Sequence, residues 1–459
     1  MDAIPKHQRR SNQVSKSRST RRQFLQATGA AAAAGALAFP YIVPSSVFGK
    51  DGKVAPSNRI TMGWIGTGGQ GRGLMGMFLG FPEAQVVAAC DVDEAHMADG
   101  VAQANEKYGN DDCRGYHDFR ELVAQKDIDA VVVATPDHWH ALASVAALDA
   151  GKDVYCEKPL ANSVYESRAI VEAAKRSNRV LQVGSMERSN PRCRYAAELV
   201  RNGRIGKLKQ MIVNLPFTDA HLQKAKNLKE NPPAQPVPKG LDYDFWLGHT
   251  PKVDFIPERT HFFWRFNLAY GGGEMTDRGA HVIDIGQMVN NSDDTGPVEL
   301  EAKGVQNPQS IYNVFWDYHF KLKYANGVEM IGATDEPRGI KLVGDDGWIF
   351  IHIHGGALEA SKPEILKEKI GPKEIHLGRT TLLHAQNGHR KHFLECMKTR
   401  SQPFAHAEAG HRTASICHLT NIAMTVGGTL KWDPQKEQFA GNEEANKLLR
   451  PAFRSPWTV

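Results

Sequence analysis

Ile60-Thr61-Met62-Gly63-Trp64-Ile65-Gly66-Thr67-Gly68-Gly69-Gln70-Gly71 is an apolar run that breaks into glycines spaced G-x-G-x-x-G, at Gly66, Gly68 and Gly71. A buried strand, a tight turn and the start of a helix make use of each glycine. Gly66 permits the turn, Gly68 lets the backbone approach a pyrophosphate, and Gly71 lets helix and strand pack closely. Gly69 and Gln70 complete the turn, and the helix N-terminus faces the anion. Twenty residues after Gly71, Asp91 closes a second apolar run at 86–90. A carboxylate there accepts both hydroxyls of an adenine ribose and repels a 2′-phosphate, so the expected cofactor is NAD rather than NADP.

Outward from this unit, residues 130–134, 154–156 and 180–183 are further short apolar runs, alternating with helical stretches near 72–80, 94–108, 138–150 and 163–177. That alternation predicts an α/β domain over residues 59–190, a Rossmann-type parallel sheet with helices on both faces. Two motifs lie at the carboxyl edge of this sheet, where open α/β folds bind ligands: Thr135-Pro136-Asp137-His138-Trp139-His140 and Glu157-Lys158-Pro159. Beyond Gly206 the period changes to two, with Trp316, Tyr318, Phe320, Leu322 and Tyr324 on one side of a strand. Further runs at 209–215, 328–333, 339–343 and 348–352 make residues 191–459 a second α/β domain with a large, mostly antiparallel sheet. Its C-terminal segment is free to pack back on the first domain. One face of that sheet calls for a partner, so a homodimer or homotetramer is expected. The proline-rich stretch 231–238 is a loop, either a lid or a plain surface insertion.

Gly-x-Gly-x-x-Gly, Thr-Pro-x-x-x-His and Glu-Lys-Pro, in this order and rough spacing, resemble the glucose-fructose oxidoreductase / inositol dehydrogenase family. The resemblance extends through Gly271-Gly272-Gly273-Glu274-Met275-Thr276-Asp277-Arg278-Gly279-Ala280-His281 and reaches Trp432-Asp433-Pro434. It implies NAD-dependent oxidation of a sugar, with Lys158 touching substrate and nicotinamide and with Asp277 and His281 completing the catalytic site. Thr135, His140 and Glu157 join the glycine turn and Asp91 on the cofactor side. The i, i+4 spacing agrees: on a helix, Asp277 and His281 share a face and can hydrogen-bond, the carboxylate raising the basicity of an imidazole that takes the hydroxyl proton. Arg188 resembles a family arginine that faces cofactor or sugar. Trp264, with His261 and Arg265 beside it, is a candidate sugar platform. His352 and His354 alternate on a strand but have no carboxylate at ligand spacing, so no metal is expected.

Residues 1–49 hold seven basic residues against one acid, which accounts for the whole formal charge of +5 and leaves the remainder near neutral. No basic face for nucleic acid is therefore expected. Thr20-Arg21-Arg22-Gln23-Phe24-Leu25, followed by a weakly apolar run to Val43, resembles a twin-arginine export signal, with residues 50–58 as linker. The run is too polar and glycine-rich for stable membrane insertion, so the partner there is the export machinery and the destination periplasmic or secreted. Six cysteines without regular spacing suggest neither zinc binding nor a disulfide framework. An exported enzyme has no obvious pool of free nucleotide, which favours a tightly held NAD(H). Some relatives are glycosidases that oxidise, eliminate and re-reduce a sugar, and this is the alternative; a non-catalytic sugar-binding protein is a further one.

Overall fold

In the parallel sheet, alternate residues of β1 (Ile60–Ile65) face two different cores: Met62 and Trp64 lie on one side of the sheet, Ile65 on the other. The computed structural model describes residues 58–459 and Ala55, apart from Gly356, Leu383 and His384, so the expected signal segment 1–49 lies outside the described residues. The six parallel strands run in the order β3 (Arg114–Tyr116), β2 (Ala84–Cys90), β1, β4 (Ala130–Val133), β5 (Asp153–Cys156), β6 (Leu181–Val183). The order reverses between β1 and β4, which opens a crevice at the carboxyl ends of the strands. Strand β3 escapes the sequence pattern because it is a short edge strand whose first two residues are exposed.

Local chemistry sets the helix starts. Helix α1 (Gly69–Phe78) begins inside the glycine run rather than at residue 72. It does so because Gly71 brings its backbone onto the turn: a Cβ there would lie 2.0 Å from the Gly66 carbonyl oxygen. Gly66 itself has φ +90°. Asp93 caps α2 (Glu94–Tyr108), its side chain accepting from the amides of Ala95 and His96, and Gly109 ends it in the left-handed conformation. A 3-10 turn over Asp137–Trp139 runs into α3 (His140–Asp149). Ser163 and Glu166 form a capping box at the start of α4 (Val164–Ser177).

After α5 (Pro191–Arg201) comes a nine-stranded sheet. Its order is β13 (Leu358–Ala360), β12 (Trp348–His352), β11 (Gly339–Gly344), β7 (Leu208–Asn214), β10 (Glu329–Ala333), β9 (Phe315–Tyr324), β8 (Pro297–Gln306), β14 (Thr429–Asp433), β15 (Gln438–Phe439). All its pairings are antiparallel except β7 with β10. The period-two stripe of β9 is buried in one core with Ile283 and Val289 of α6 (Arg278–Val289) and with Ile416 and Leu419 further on. The intervening Asp317, His319, Lys321 and Lys323 are exposed. The stripe is thus covered by helices of its own chain.

The last part of the chain returns to the first sheet. Helix α7 (Ala385–Thr399) places Phe393, Leu394, Cys396 and Met397 in the core of Trp64, Phe78 and Tyr155. Helix α8 (Ala407–Val426) contributes Ala414 to the opposite core, and Trp457 packs edge-on against Trp139 at 4.9 Å. A division at residue 190 therefore follows chain order, whereas the packing of the first domain includes later segments. The 231–238 loop is mostly exposed and tied to its neighbours through Asn231 and Gln235. It does not border the crevice, whereas His221 before it and the segment from Leu241 after it do. Among the described residues no helix is long and apolar enough to cross a membrane.

Arg188 departs from its expected place at the ligand. It is 2% exposed, its Nε donates to both carboxylate oxygens of Asp284 at 2.8 and 2.7 Å, and its terminal nitrogens donate to Asp293 at 2.7 Å. The arginine joins the end of the first sheet to α6 and has no donor left for a substrate. Removing one member of such a buried charge cluster leaves the others uncompensated. Arg188→Ala should cost about 3–5 kcal/mol of stability in chemical denaturation, and a loss of sugar binding with unchanged stability would contradict this assignment.

Candidate active site

A cavity of about 640 Å³ occupies the crevice. Its floor is backbone. Gly68 caps α1 without a side chain, no acid lies in the first turn, and a Cβ on Gly69 would meet nothing within 4 Å. The helix N-terminus therefore presents amides and positive dipole to open space, which suits a pyrophosphate. Asp91 stands at the wall: Oδ2 accepts from the Thr67 amide at 2.8 Å and Oδ1 from the Asp93 amide at 3.0 Å. Burial pushes its pKa up, against the pull of those two amides. The carboxylate is thereby fixed in orientation, with lone pairs left for a ribose diol. At the end of β4, Thr135 Oγ1 is buried without a hydrogen-bond partner. A bound nucleotide would satisfy it, and the residues present fit NAD.

Two other cofactor-side expectations are modified. Glu157 lies against Gly184, where a Cβ would approach its carboxylate to 2.8 Å, and it is hydrogen-bonded to Gln70. Burial raises its pKa, opposed by Lys158 and Arg390. It braces the glycine turn from the end of β5, two strands away. His140 borders the cavity, but its Nδ1 lies 2.7 Å from the Pro159 carbonyl oxygen and its Nε2 3.0 Å from that of Thr135. Burial pushes its pKa down to about 4, so the neutral ring donates through one nitrogen only. A backbone carbonyl faces each nitrogen and the ring donates to one of them, which makes His140 a positioning residue between the two motif loops.

The reactive end lies where β5 meets α6. Lys158 Nζ donates to Asp277 Oδ1, and Arg265 Nε stands 3.6 Å from Oδ2. Burial would raise the Asp277 pKa, but Lys158 and Arg265 outweigh it and hold the carboxyl well below the usual range. His281 is 6% exposed; burial, then Lys158 and His354, keep its imidazole neutral well below the ordinary value.

The expected hydrogen bond between Asp277 and His281 is replaced. Asp277 is the residue before α6, with ψ −86°, and its carboxylate is engaged by the lysine and arginine. The i, i+4 argument assumes both residues are helical, and only His281 is. His281 Nδ1 is buried with no partner, and its ring packs edge-on against His354 with centroids 4.9 Å apart. Trp264, expected as a sugar platform, lies in the wall but is buried, with the Arg265 guanidinium 4.5 Å from its ring centre.

Two further groups join the site. Asp137, in the motif after β4, is buried in the cavity wall; desolvation pushes its pKa well above the carboxylate range despite Lys158 and Arg265. Its motif was a signal, but the choice of Thr135 and His140 passed over it. His354 follows β12 in a left-handed turn, φ 66°, and no local pattern connects it to His281.

With this geometry in view, family models match nearly the whole described chain. Residues 60–185 match the oxidoreductase family's NAD-binding Rossmann fold, and residues 196–459 its C-terminal alpha/beta domain. The chain belongs to that family, the one joining glucose-fructose oxidoreductase and inositol dehydrogenase, and its first domain is an NAD-binding domain. An inositol 2-dehydrogenase of Rubrobacter xylanophilus is 38% identical over 33% of this chain and 42% of that one. Glycosyl hydrolase family 109 protein 2 of Shewanella sp. is 33% identical over 35% of this chain and 38% of its own. The chain thus spans about two fifths of the length of either relative. The solved structure of an aldose-aldose oxidoreductase from Caulobacter crescentus shares the fold, with a TM-score of 0.58 and 20% identity over 81% of this chain and 99% of that one.

The glycine turn offers a clean contrast. Gly71→Ala forces a methyl into the Gly66 carbonyl and should destabilise the protein by about 1–3 kcal/mol while abolishing NADH fluorescence enhancement. Gly69→Ala meets no protein atom, so the melting temperature should stay unchanged while NADH binding weakens.

Proposed function

We propose that the protein oxidises a hydroxyl-bearing carbon of a sugar or sugar derivative, by hydride transfer to an NAD that it retains. The observation that carries this reading is the meeting of Lys158, Asp277 and neutral His281 at one end of a cavity floored by the glycine turn and Asp91. NAD, when bound, supplies the hydride acceptor. His281, neutral and lining the cavity, is suited to take the hydroxyl proton. The ammonium of Lys158 stabilises negative charge developing on the substrate oxygen. Asp277 holds that ammonium in place together with Arg265. Trp264, buried beneath the Arg265 guanidinium, supports that arginine in the wall.

A second reading shares these residues. Asp137, whose carboxyl burial pushes well above the usual range beside Lys158, is suited to be a proton donor of the kind that aglycone departure requires, and a relative bears a glycoside hydrolase name. In that case oxidation, elimination and re-reduction would occur in one visit, with bond cleavage as the net outcome. Export through the Arg21-Arg22 leader and assembly into a homodimer or homotetramer belong to the same proposal. The leader supports the first; for the second, the outer side of the nine-stranded sheet carries Ile212, Ile331 and Trp348, each only half-buried.

Purified protein, given free sugars and aryl glycosides without added nucleotide, separates the readings. Reduction of the bound cofactor by a free sugar, reversed by a keto-sugar, is the expected result; aglycone release would favour the glycosidase, and neither signal a binding protein. Lys158→Met and His281→Ala should each lower turnover by about 10²–10⁴-fold. The pH profile gives an independent check. An imidazole lowered from 6.5 is fully neutral at and above that pH and is protonated only below it. The acid limb of kcat/KM should therefore lie below pH 6.5, and a midpoint at or above this value would remove His281 as the base.

A further inference from the structure

At the opposite end of the cavity, three side chains converge that the proposed chemistry does not use. Asp93 caps α2, His96 lies in the first turn of the same helix, and His261 comes from the loop ahead of Trp264. One ligand atom from each lies within 4.8 Å of the other two. Asp93 Oδ1 is occupied by the amides of Ala95 and His96 at 2.9 and 3.2 Å, while Oδ2 faces His261 Nε2 at 4.0 Å. The two imidazoles meet edge-on, with centroids 4.9 Å apart. His261 is held there at φ 55°, half exposed, so an ion has a path from solvent.

We propose that Asp93, His96 and His261 form a site for a divalent transition metal of the zinc class. Two imidazole nitrogens and one carboxylate oxygen are a donor set that suits zinc, copper or nickel and offers too little oxygen for calcium or magnesium. Tetrahedral zinc takes three protein ligands and leaves a fourth position for water or an incoming oxygen. Bonds of about 2.0–2.2 Å put ligand atoms roughly 3.4 Å apart, so the trio has to close by about 1 Å. His261, on an exposed loop, is the member able to move.

The position gives the ion a role. Asp93 and His96 belong to the β2–α2 turn next to Asp91, and all three ligands border the cavity. The later segment is already tied to this turn by two backbone bonds, from the Glu94 amide to the Gly240 carbonyl at 2.9 Å and from the Asp242 amide to the Val92 carbonyl at 3.0 Å. A metal at His261 adds a side-chain tie to these, next to the Phe262–Arg265 wall, and closes that segment over the adenosine end of the cleft. This closing role rests on the reading of the cleft as a nucleotide site, whereas the metal site itself does not.

The test uses the untagged holoenzyme, stripped with EDTA, desalted, and titrated with zinc against a chromophoric chelator. One zinc per chain is expected, with affinity at least tenfold weaker in His96→Ala and in His261→Ala, and X-ray absorption should show two imidazoles on the ion. Absence of saturable zinc binding, or undiminished binding in the double variant, overturns the site. Release of NADH should be several-fold slower with zinc than after EDTA in the parent protein and indifferent to zinc in His261→Ala; equal rates in the parent overturn the closing role. Zinc binding is read without the nucleotide signal, so a failure of the NAD reading and a failure of the site give different results.

Discussion

The ion pair between Lys158 and Asp277 spans the two halves of the molecule at the place where their surfaces form one cavity. Lys158 ends a strand of the parallel sheet, and Asp277 precedes the helix that covers the antiparallel one. Neither charge could sit half-buried without the other, so the contact is as much a condition of folding as of chemistry. Around it two cations meet two carboxyls: Lys158 and Arg265 face Asp277 and Asp137, and they hold Asp277 down while desolvation pushes Asp137 up. Arg278 and Glu274 repeat the arrangement one turn along, where burial, then Asp277, pushes the glutamate up to about 7. A polar ligand entering such a site meets fixed dipoles in place of water, which is the condition under which electrostatic stabilisation is strongest.

The nucleotide end follows a different logic. There the recognising groups are backbone amides, and side chains matter chiefly by their absence at Gly66, Gly68 and Gly71. Glu157, His140 and the Thr67 amide hold the loops and the acid that surround this floor. The division explains why one end of the cavity is legible from spacing alone and the other is not.

Strands with continuous apolar runs, such as Ile60–Ile65 and Trp348–His352, match the sequence reading to the residue. Strand β8 was missed because Glu299, Glu301 and Lys303 interrupt its apolar residues, and its neighbour β14 because it is a short run between glycines and a turn. The functional reading followed the same physics. Asp91 and Lys158 are placed by strand ends, which sequence reveals. Arg188 looks the same in sequence, yet its destination depends on Asp284 and Asp293, a hundred residues away, and only packing identifies them. His354 and Asp137 depend likewise on where a turn after one strand and a loop after another come to rest. Spacing placed Asp277 and His281 on one helix face, but a single residue at the helix boundary sends the carboxylate to a different partner.

The return of α7 to the first sheet bears on how the protein is made. Trp64 and Phe78 are near the start of the described chain, yet the side chains that complete their core, Phe393 and Leu394, emerge more than three hundred residues later. A nucleotide domain that lacks one wall of its core cannot finish folding as a unit while the ribosome is still synthesising the second sheet. That part of its core stays uncovered until α7 has been made. Assembly of the cleft and completion of the polypeptide are thereby coupled in time, so that a chain interrupted before α7 would have its glycine turn but no finished domain to support it.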